Sequence, residues 1–327
     1  MAEPMETPIG EQLIDRRDRL QRALSSSPKD TQLKDLLDKV DAAIERVNRG
    51  TYGLCEVCNE PIERDRLMAD PLVCLCLDHM TPEQRRALEQ DLELASQIQT
   101  ALLPKQSFEL TGWATAYHYE GAGPVGGDYC DLLGSGEDLY FIVGDVSGKG
   151  VAASMLMAHL HASFRALVSL GLPLSEIMER ASRMFCESTL PTHFATLVCG
   201  KAHPNGEVDI CNAGHNPPLL VRGSKLTELG ATGLPLGVFC EESFTISKVR
   251  LAAGDTILVY TDGLSEASDS SGVQYGTERL SEFVRARRFV SPEDVVSGCV
   301  EDLNAFLSGS PRTDDLTIMA IRRLGSP

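Results

Sequence analysis

"FIVGDVSGKGVAAS", residues 141–154, runs an apolar segment into an aspartate and then into a loop almost without side chains. Phe141, Ile142 and Val143 read as a buried strand, and the Ala-, Leu- and Met-rich stretch after Gly150 reads as a helix. A carboxylate at the end of a buried strand is costly unless something meets its charge. Asp145 is therefore either a helix cap, a role for which Asp and Ser are preferred, or a ligand for a cation or a phosphate. This segment alone leaves both open.

The arrangement recurs. "ILVYTDGLSEA" (257–267) runs a strand into Asp262 and Gly263, "PVGGDYCD" (124–131) sets Asp128 after two glycines, and "RTDDLTIMAI" (312–321) puts Asp314 and Asp315 just before a strand. Each aspartate alone reads as a turn residue. Together, if the strand ends converge, their like charges would repel in a partly buried site. Divalent cations neutralise such a cluster, and oxygen donors suit Mg2+ or Mn2+.

A chain of 327 residues with 43% hydrophobic content can build one large domain and a smaller one. The formal charge of -17 argues against nucleic acid or an anionic membrane as the main partner, because both attract basic surfaces. No stretch is read as the roughly 20 apolar residues of a membrane span. The opening "MAEPMETPIGEQ" lacks a signal-peptide pattern, so the expected location is cytoplasmic. Four of the ten cysteines crowd between Cys55 and Cys76 and the other six are scattered singly, a pattern suited to a reducing compartment with one metal site.

Periodicity predicts helices over 9–26 and 29–49, joined by a turn in which Pro28 suits a helix start and Ser27 or Asp30 the cap. A third helix is expected over 82–103. Its Leu88, Leu92, Ala95 and Leu102 step by four and three residues with Gln99 as a polar interruption, and Leu94 and Ile98 widen the stripe. That stripe reads either as a coiled-coil seam for a homodimer through 82–103 or as packing on the helix's own domain. Strands are predicted at 113–118, 129–133, 138–144, 193–201, 206–212, 217–222, 244–250, 255–260 and 316–323, with helix pairs at 151–169 and 174–189 and at 277–288 and 292–307. Strands in blocks and helices in blocks indicate an α+β fold with antiparallel sheets.

Cys55, Cys58, Cys76 and His79 are spaced C-x2-C-x17-C-x2-H. Two such knuckles complete a tetrahedron of thiolate and imidazole ligands, which selects one structural Zn2+. Cys74 reads as a neighbour, because pairing it with Cys76 leaves poorer spacing. With "AAIERVNRGTYG" before it, the segment resembles the zinc finger of the DksA/TraR family over residues 10–80, with His79 where cysteine is usual. Longer members of that family reach RNA polymerase through an acidic hairpin tip that is missing here. Residues 51–80 carry Glu56, Glu60, Glu63, Asp65, Asp70 and Asp78 against Arg64 and Arg66, so DNA binding is not expected.

Six motifs occur in order: "VGGDYCDLL" (125–133), "VGDVSGKGVAASMLMA" (143–158), "NAGHNPPLL" (212–220), "GLPLGV" (233–238), "LVYTDGLSEA" (258–267) and "DDLTIMAI" (314–321). Together with the lead-in "LELASQIQTALLPKQ" (92–106) they resemble the PPM (PP2C-like) serine/threonine phosphatases in their SpoIIE/RsbU branch, over residues 86–323. The resemblance implies an α/β/β/α sandwich and two Mn2+ or Mg2+ ions. By motif position Asp145 would bridge both, with the Val146 carbonyl a further ligand. Asp262 and Asp314 would hold the second ion, Asp128 would bind at the first directly or through water, and Asp315 would be support. A water held between two such ions is acidified and attacks phosphorus in line. Lys149 reads as a phosphate contact or a solvated lysine, and His215 as a turn residue or a general acid.

The expected organisation is a helical hairpin (1–50), a zinc finger (51–80), a linker helix (81–105) and a phosphatase domain (106–327). The branch implies phosphorylated anti-sigma-factor antagonists with STAS domains as substrates, and a linker helix that switches activity. The alternative is a DksA-like regulator that binds RNA polymerase or another protein through finger and hairpin.

Overall fold

The computed structural model describes residues 6–26, 30–63, 66–67, 70–190 and 192–325. They form two compact units, Met1–Asp91 and Leu92–Pro327.

In the first unit, α1 (Glu6–Ser26) and α2 (Thr31–Asn48) pair as the expected hairpin. Asp30 caps α2 by accepting from the Gln32 and Leu33 N–H groups at 3.0 and 3.1 Å. Ser27 and Pro28 lie outside the described residues, as do Arg64 and Asp65 of the finger. Val40 and Ala43 are the buried residues of α2. The finger is tied to α2 through Arg46, whose guanidinium donates to the Leu72 and Val73 carbonyls at 3.2 and 3.3 Å.

The second unit takes in the later part of α3 (Pro82–Leu102). Gln99 is no interruption of a seam here. It is 6% exposed, its Nε2 donates to the Gly126 carbonyl at 2.8 Å, and its Oε1 accepts from the Gly126 N–H at 3.0 Å. Leu102 packs on the core, while Leu94 and Ile98 are 57% and 56% exposed. The stripe is legible as apolar, but not that one polar member serves a loop 27 residues away.

Two antiparallel sheets follow, and their strands explain why. One sheet has the order β1 (Ser107–Leu110), β2 (Trp113–Glu120), β11 (Leu316–Arg323), β10 (Thr256–Tyr260), β7 (Leu219–Arg222), β8 (Lys225–Glu228). The other runs β3 (Tyr129–Ser135), β4 (Asp138–Val146), β5 (Ala195–Ala202), β6 (Glu207–Ala213), β9 (Ser247–Arg250). The central strands are apolar on both faces. In β4, Phe141 and Val143 face the layer between the sheets, while Tyr140 and Ile142 face helices. In β10, Ile257 and Val259 face inward and Leu258 and Tyr260 outward. A strand buried on both faces needs a layer on each side. The helices α4 (Gly150–Val168) and α5 (Leu174–Ser188) cover the second sheet, and α7 (Thr277–Ala286) and α8 (Pro292–Leu307) the first. A four-residue helix, α6 (Asp262–Ser265), precedes that second pair. The result is the α/β/β/α sandwich. Strands β1 and β8, four residues each, are not foreseen from the sequence, nor is α6.

Two sequence expectations are corrected. Helix α4, with a mean hydropathy of 1.3, is long and apolar enough to cross a membrane. Its apolarity has a packing origin, since Met157, Leu160, Phe164 and Leu167 are buried against β3 and β4. The scattered cysteines are not all single: Cys186 and Cys240, 54 residues apart, form a disulfide. The fold brings them together because Leu236 pairs with Ala195, which returns the following loop to the end of α5. Cys130, Cys199, Cys211 and Cys299 are buried free thiols. Closing a loop of that size restricts the unfolded chain and contributes about 2–4 kcal/mol. The double variant Cys186→Ser/Cys240→Ser is expected to unfold at lower urea than the parent by a corresponding margin. Coincident urea curves would show that the bond does not form in solution.

Candidate functional site

The sandwich brings the aspartates together because each stands at a strand end on the same rim. Asp145 occupies the end of β4 in one sheet; Asp262 follows β10, and Asp314 precedes β11, in the other. Their mutual charge is felt directly. Burial, then the charges of Asp262, Asp314 and Asp315, push the Asp145 carboxyl up to about 7. Burial and the charge of Asp314 also raise Asp262. Asp145 and Asp262, both raised, form with Asp314 a carboxylate donor set for hard divalent cations. The Val146 carbonyl faces the same space, since a Cβ built on Gly127 would lie 2.9 Å from it and 3.4 Å from Asp145 Oδ1. Those residues fit Mn2+ or Mg2+.

Asp128 is placed differently. It is 1% exposed and its Oδ2 accepts from the Thr317 and Thr261 hydroxyls at 2.6 and 2.8 Å. Burial and the Asp145 charge raise its carboxyl well above the usual range. Asp315 does not join the open cluster. Its two oxygens accept from the Ala122 and Gly127 N–H groups at 2.8 and 2.7 Å, holding the loop that leads to Asp128. That grip leaves no room for side chains. A Cβ on Gly126 would fall 2.2 Å from Asp315 Oδ2, and one on Gly263 would fall 1.8 Å from the Asp315 carbonyl. Gln99 holds the same loop from the other side. Sequence reasoning misses Thr261, Thr317 and Gln99 as functional residues. Their only signals are a Thr just before Asp262, a Thr two residues after Asp315 and a lone amide in an apolar stripe.

Lys149 Nζ donates to Asp314 Oδ2 at 2.9 Å and to the Thr313 carbonyl at 2.8 Å, so it is paired rather than merely solvated. His215 is buried beside the strand end of β6. It is 5% exposed, its Nδ1 meets Thr196 Oγ1 at 2.8 Å, and burial lowers it to about 4, which leaves it neutral at pH 7. Arg312 and Thr313 line the cleft beside Asp262 and Asp314, with Arg312 bonded to Asn304 and paired with Glu120.

In the first unit, one donor atom each from Cys55, Cys58, Cys76 and His79 lies within 4.8 Å of all the others. Cys58 Sγ is 3.8 Å and His79 Nδ1 3.1 Å from Cys76 Sγ. Burial raises the Cys55 thiol, yet backbone N–H groups of Cys76, Cys58 and Val57 outweigh it and bring it down to about 6. This is the chemistry of a thiolate metal knuckle. Cys74 stands apart, beside Glu56 and Arg46.

Comparisons with known proteins find relatives for each of the two units. The family model described as stage II sporulation protein E (SpoIIE) matches residues 135–324, and that of the prokaryotic dksA/traR C4-type zinc finger matches residues 50–78. Protein IcfG of Synechocystis is 27% identical over 71% of this chain and 41% of its own length. The chain thus spans about two fifths of that relative. The phosphoserine phosphatase RsbU of Bacillus subtilis is 21% identical over 73% of this chain and 72% of its own. Among solved structures, the RsbU and RsbW domains of Rv1364c from Mycobacterium tuberculosis align with a TM-score of 0.57 at 30% identity, over 68% of this chain and 63% of that one. The SiaA-PP2C domain of Pseudomonas aeruginosa aligns at 0.63 and 20% identity, over 73% and 97%, a likeness of fold.

Proposed function

Because this chain belongs to the SpoIIE family, we propose that it is a metal-dependent protein phosphatase that hydrolyses phosphoserine or phosphothreonine on a signalling protein. The observation that carries this reading is the convergence of Asp145, Asp262 and Asp314, with Asp145 pushed up to about 7 by burial and its neighbours' charge. Asp145, the Val146 carbonyl, Asp262 and Asp314 would hold two Mn2+ or Mg2+ ions, with Asp128 at the first. Those ions, when bound, supply Lewis acidity and a nucleophilic water for in-line attack on phosphorus. The chain's own part is to hold the carboxylates in place. Thr261 and Thr317 orient Asp128, and Asp315 and Gln99 fix the loop that delivers it.

The substrate reading, a phosphorylated STAS-domain protein in the cytoplasm, rests on family likeness. The domains of the proposal are 1–50, 51–80, 81–105 and 106–327. The finger would carry one Zn2+ on Cys55, Cys58, Cys76 and His79 and act as an interaction module. A homodimer through residues 82–103 would use the exposed Leu94 and Ile98 rather than Leu92 and Leu102.

The test is release of phosphate from a panel of phosphorylated STAS proteins and from para-nitrophenyl phosphate, with Mn2+ and in chelator. Turnover of both only with metal is expected. Full turnover in chelator overturns the metal mechanism, and loss of the STAS proteins alone overturns the substrate class.

A further inference from the structure

Exposed apolar side chains gather on one side of the carboxylate rim, on three segments far apart in sequence. Val151 and Met155, 41% and 67% exposed, stand one turn apart on the first turns of α4, directly after the Asp145 loop. One turn further, His159 packs on Phe185 of α5 with ring centroids 6.2 Å apart, beside Met184, 38% exposed. Gly237 sits over Phe185, where an added Cβ would come within 2.8 Å of the ring, and it carries Val238 and Phe239, 45% and 57% exposed, into the same region. The Cys186–Cys240 disulfide pins the far end of that loop to α5. Phe194, 41% exposed, closes the patch against the rim: its N–H donates to Ser147 Oγ at 2.9 Å, and its carbonyl accepts from the Ser147 N–H at 2.9 Å. Ser147 lies two residues from Asp145.

We propose that this patch, Val151, Met155, Met184, Phe194, Val238 and Phe239, is the docking surface for the phosphoprotein substrate. It takes an apolar surface of that protein, with basic side chains, next to its phosphorylated residue. The inference rests on the phosphatase reading and deepens it. Two observations select this occupant. The patch is continuous with the carboxylate rim through Ser147 and Phe194, so whatever sits on it sits beside the reacting centre. Its edge carries exposed Glu187 and Glu241 against Arg183, a net negative charge that complements basic groups on a partner.

A third consideration concerns binding energy. The cations near the carboxylates, Lys149 and Arg312, are already engaged by Asp314 and by Glu120 and Asn304. Apart from the metal ions of the proposed site, little side-chain charge is left over to clamp a phosphate. Part of the affinity for a protein substrate then comes from groups remote from phosphorus, and exposed apolar surface beside the cleft supplies it.

The experiment compares the full chain with its Met155→Glu/Phe239→Asp variant on two substrates in Mn2+. One is para-nitrophenyl phosphate, too small to reach the patch, and the other is the phosphorylated STAS protein turned over fastest in the panel. Both substituted side chains are exposed, and thermal unfolding checks that the variant folds. The expected result is a loss in kcat/KM of at least about 10-fold on the phosphoprotein, mainly through KM, as for truncation of interface anchors, with the small ester unchanged. Equal rates on both substrates, or equal losses on both, overturn the docking surface. So does a parent that hydrolyses the ester and no phosphoprotein. A parent inert on both substrates instead removes the phosphatase reading itself.

Discussion

Alanine at Asp145 is expected to abolish metal-dependent phosphate release, and alanine at Asp262 to do the same. Loss of one preorganised electrostatic contact to a reacting centre costs about 10²–10³-fold. In the proposed site Asp145 would hold both ions, so its loss is expected at or beyond the upper end of that range. The fold should survive, and the pH dependence says why. In the metal-free protein the Asp145 carboxyl is raised to about 7, above its ordinary value. A group raised in this way contributes its stability at acid pH and loses it as pH rises through about 7. Removing the carboxylate relieves that loss. In chelator at pH 8 the Asp145→Ala protein should therefore melt no lower than the parent. A variant that keeps turnover refutes the cluster as the metal centre. One that is inactive only because it melts first would show Asp145 to be a structural residue.

Serine at Cys76 is expected to empty the finger. Cys76 is 6% exposed and sits between the Cys58 sulfur and the His79 ring, so its loss opens the group from the middle. Structural zinc in small fingers carries an apparent binding energy on the order of 10 kcal/mol, and that binding is the folding energy of the module. Among the described residues, the apolar core beside it is only Cys55, Ile62 and Cys76 with a few half-buried neighbours. Elemental analysis of protein purified without added zinc should find one zinc per chain in the parent and none in Cys76→Ser. Cys74→Ser should retain its zinc, because that thiol faces Glu56 and Arg46. The reverse pattern would give the place of Cys76 in the ligand set to Cys74.

The layers of the sandwich are legible in the amino-acid order itself. Strands apolar on both faces announce a layer on each side, and β4, β10 and β11 carry that signal through their central residues. Asp145 and Asp262 are legible because each ends an apolar run, Asp128 because it follows two glycines and Asp314 because an apolar run follows it. What stays hidden has no periodicity. Strands β1 and β8 are four residues long, β1 alternating and β8 with a single half-buried position, too short for a period of two to stand out. Asp315 reads as a twin of Asp314, yet its carboxylate turns inward onto Ala122 and Gly127, a choice made by a loop far earlier in the chain. The Cys186–Cys240 pair depends on a bridge between Ala195 and Leu236 that no local pattern encodes. Gln99 looks like a flaw in a stripe because its partner is backbone, and a glycine's backbone leaves no mark in composition.

Three of the four sheet edges are strands of four residues: β1, β8 and β9. An open edge offers unpaired N–H and C=O groups to any extended chain that drifts past, and length and flatness make that offer dangerous. Here the offer is brief, and charges interrupt it: Glu109 on β1, Lys225 and Glu228 on β8, Lys248 and Arg250 on β9. That leaves β3, seven residues long, as the one longer edge among the described residues at which an extended chain could add.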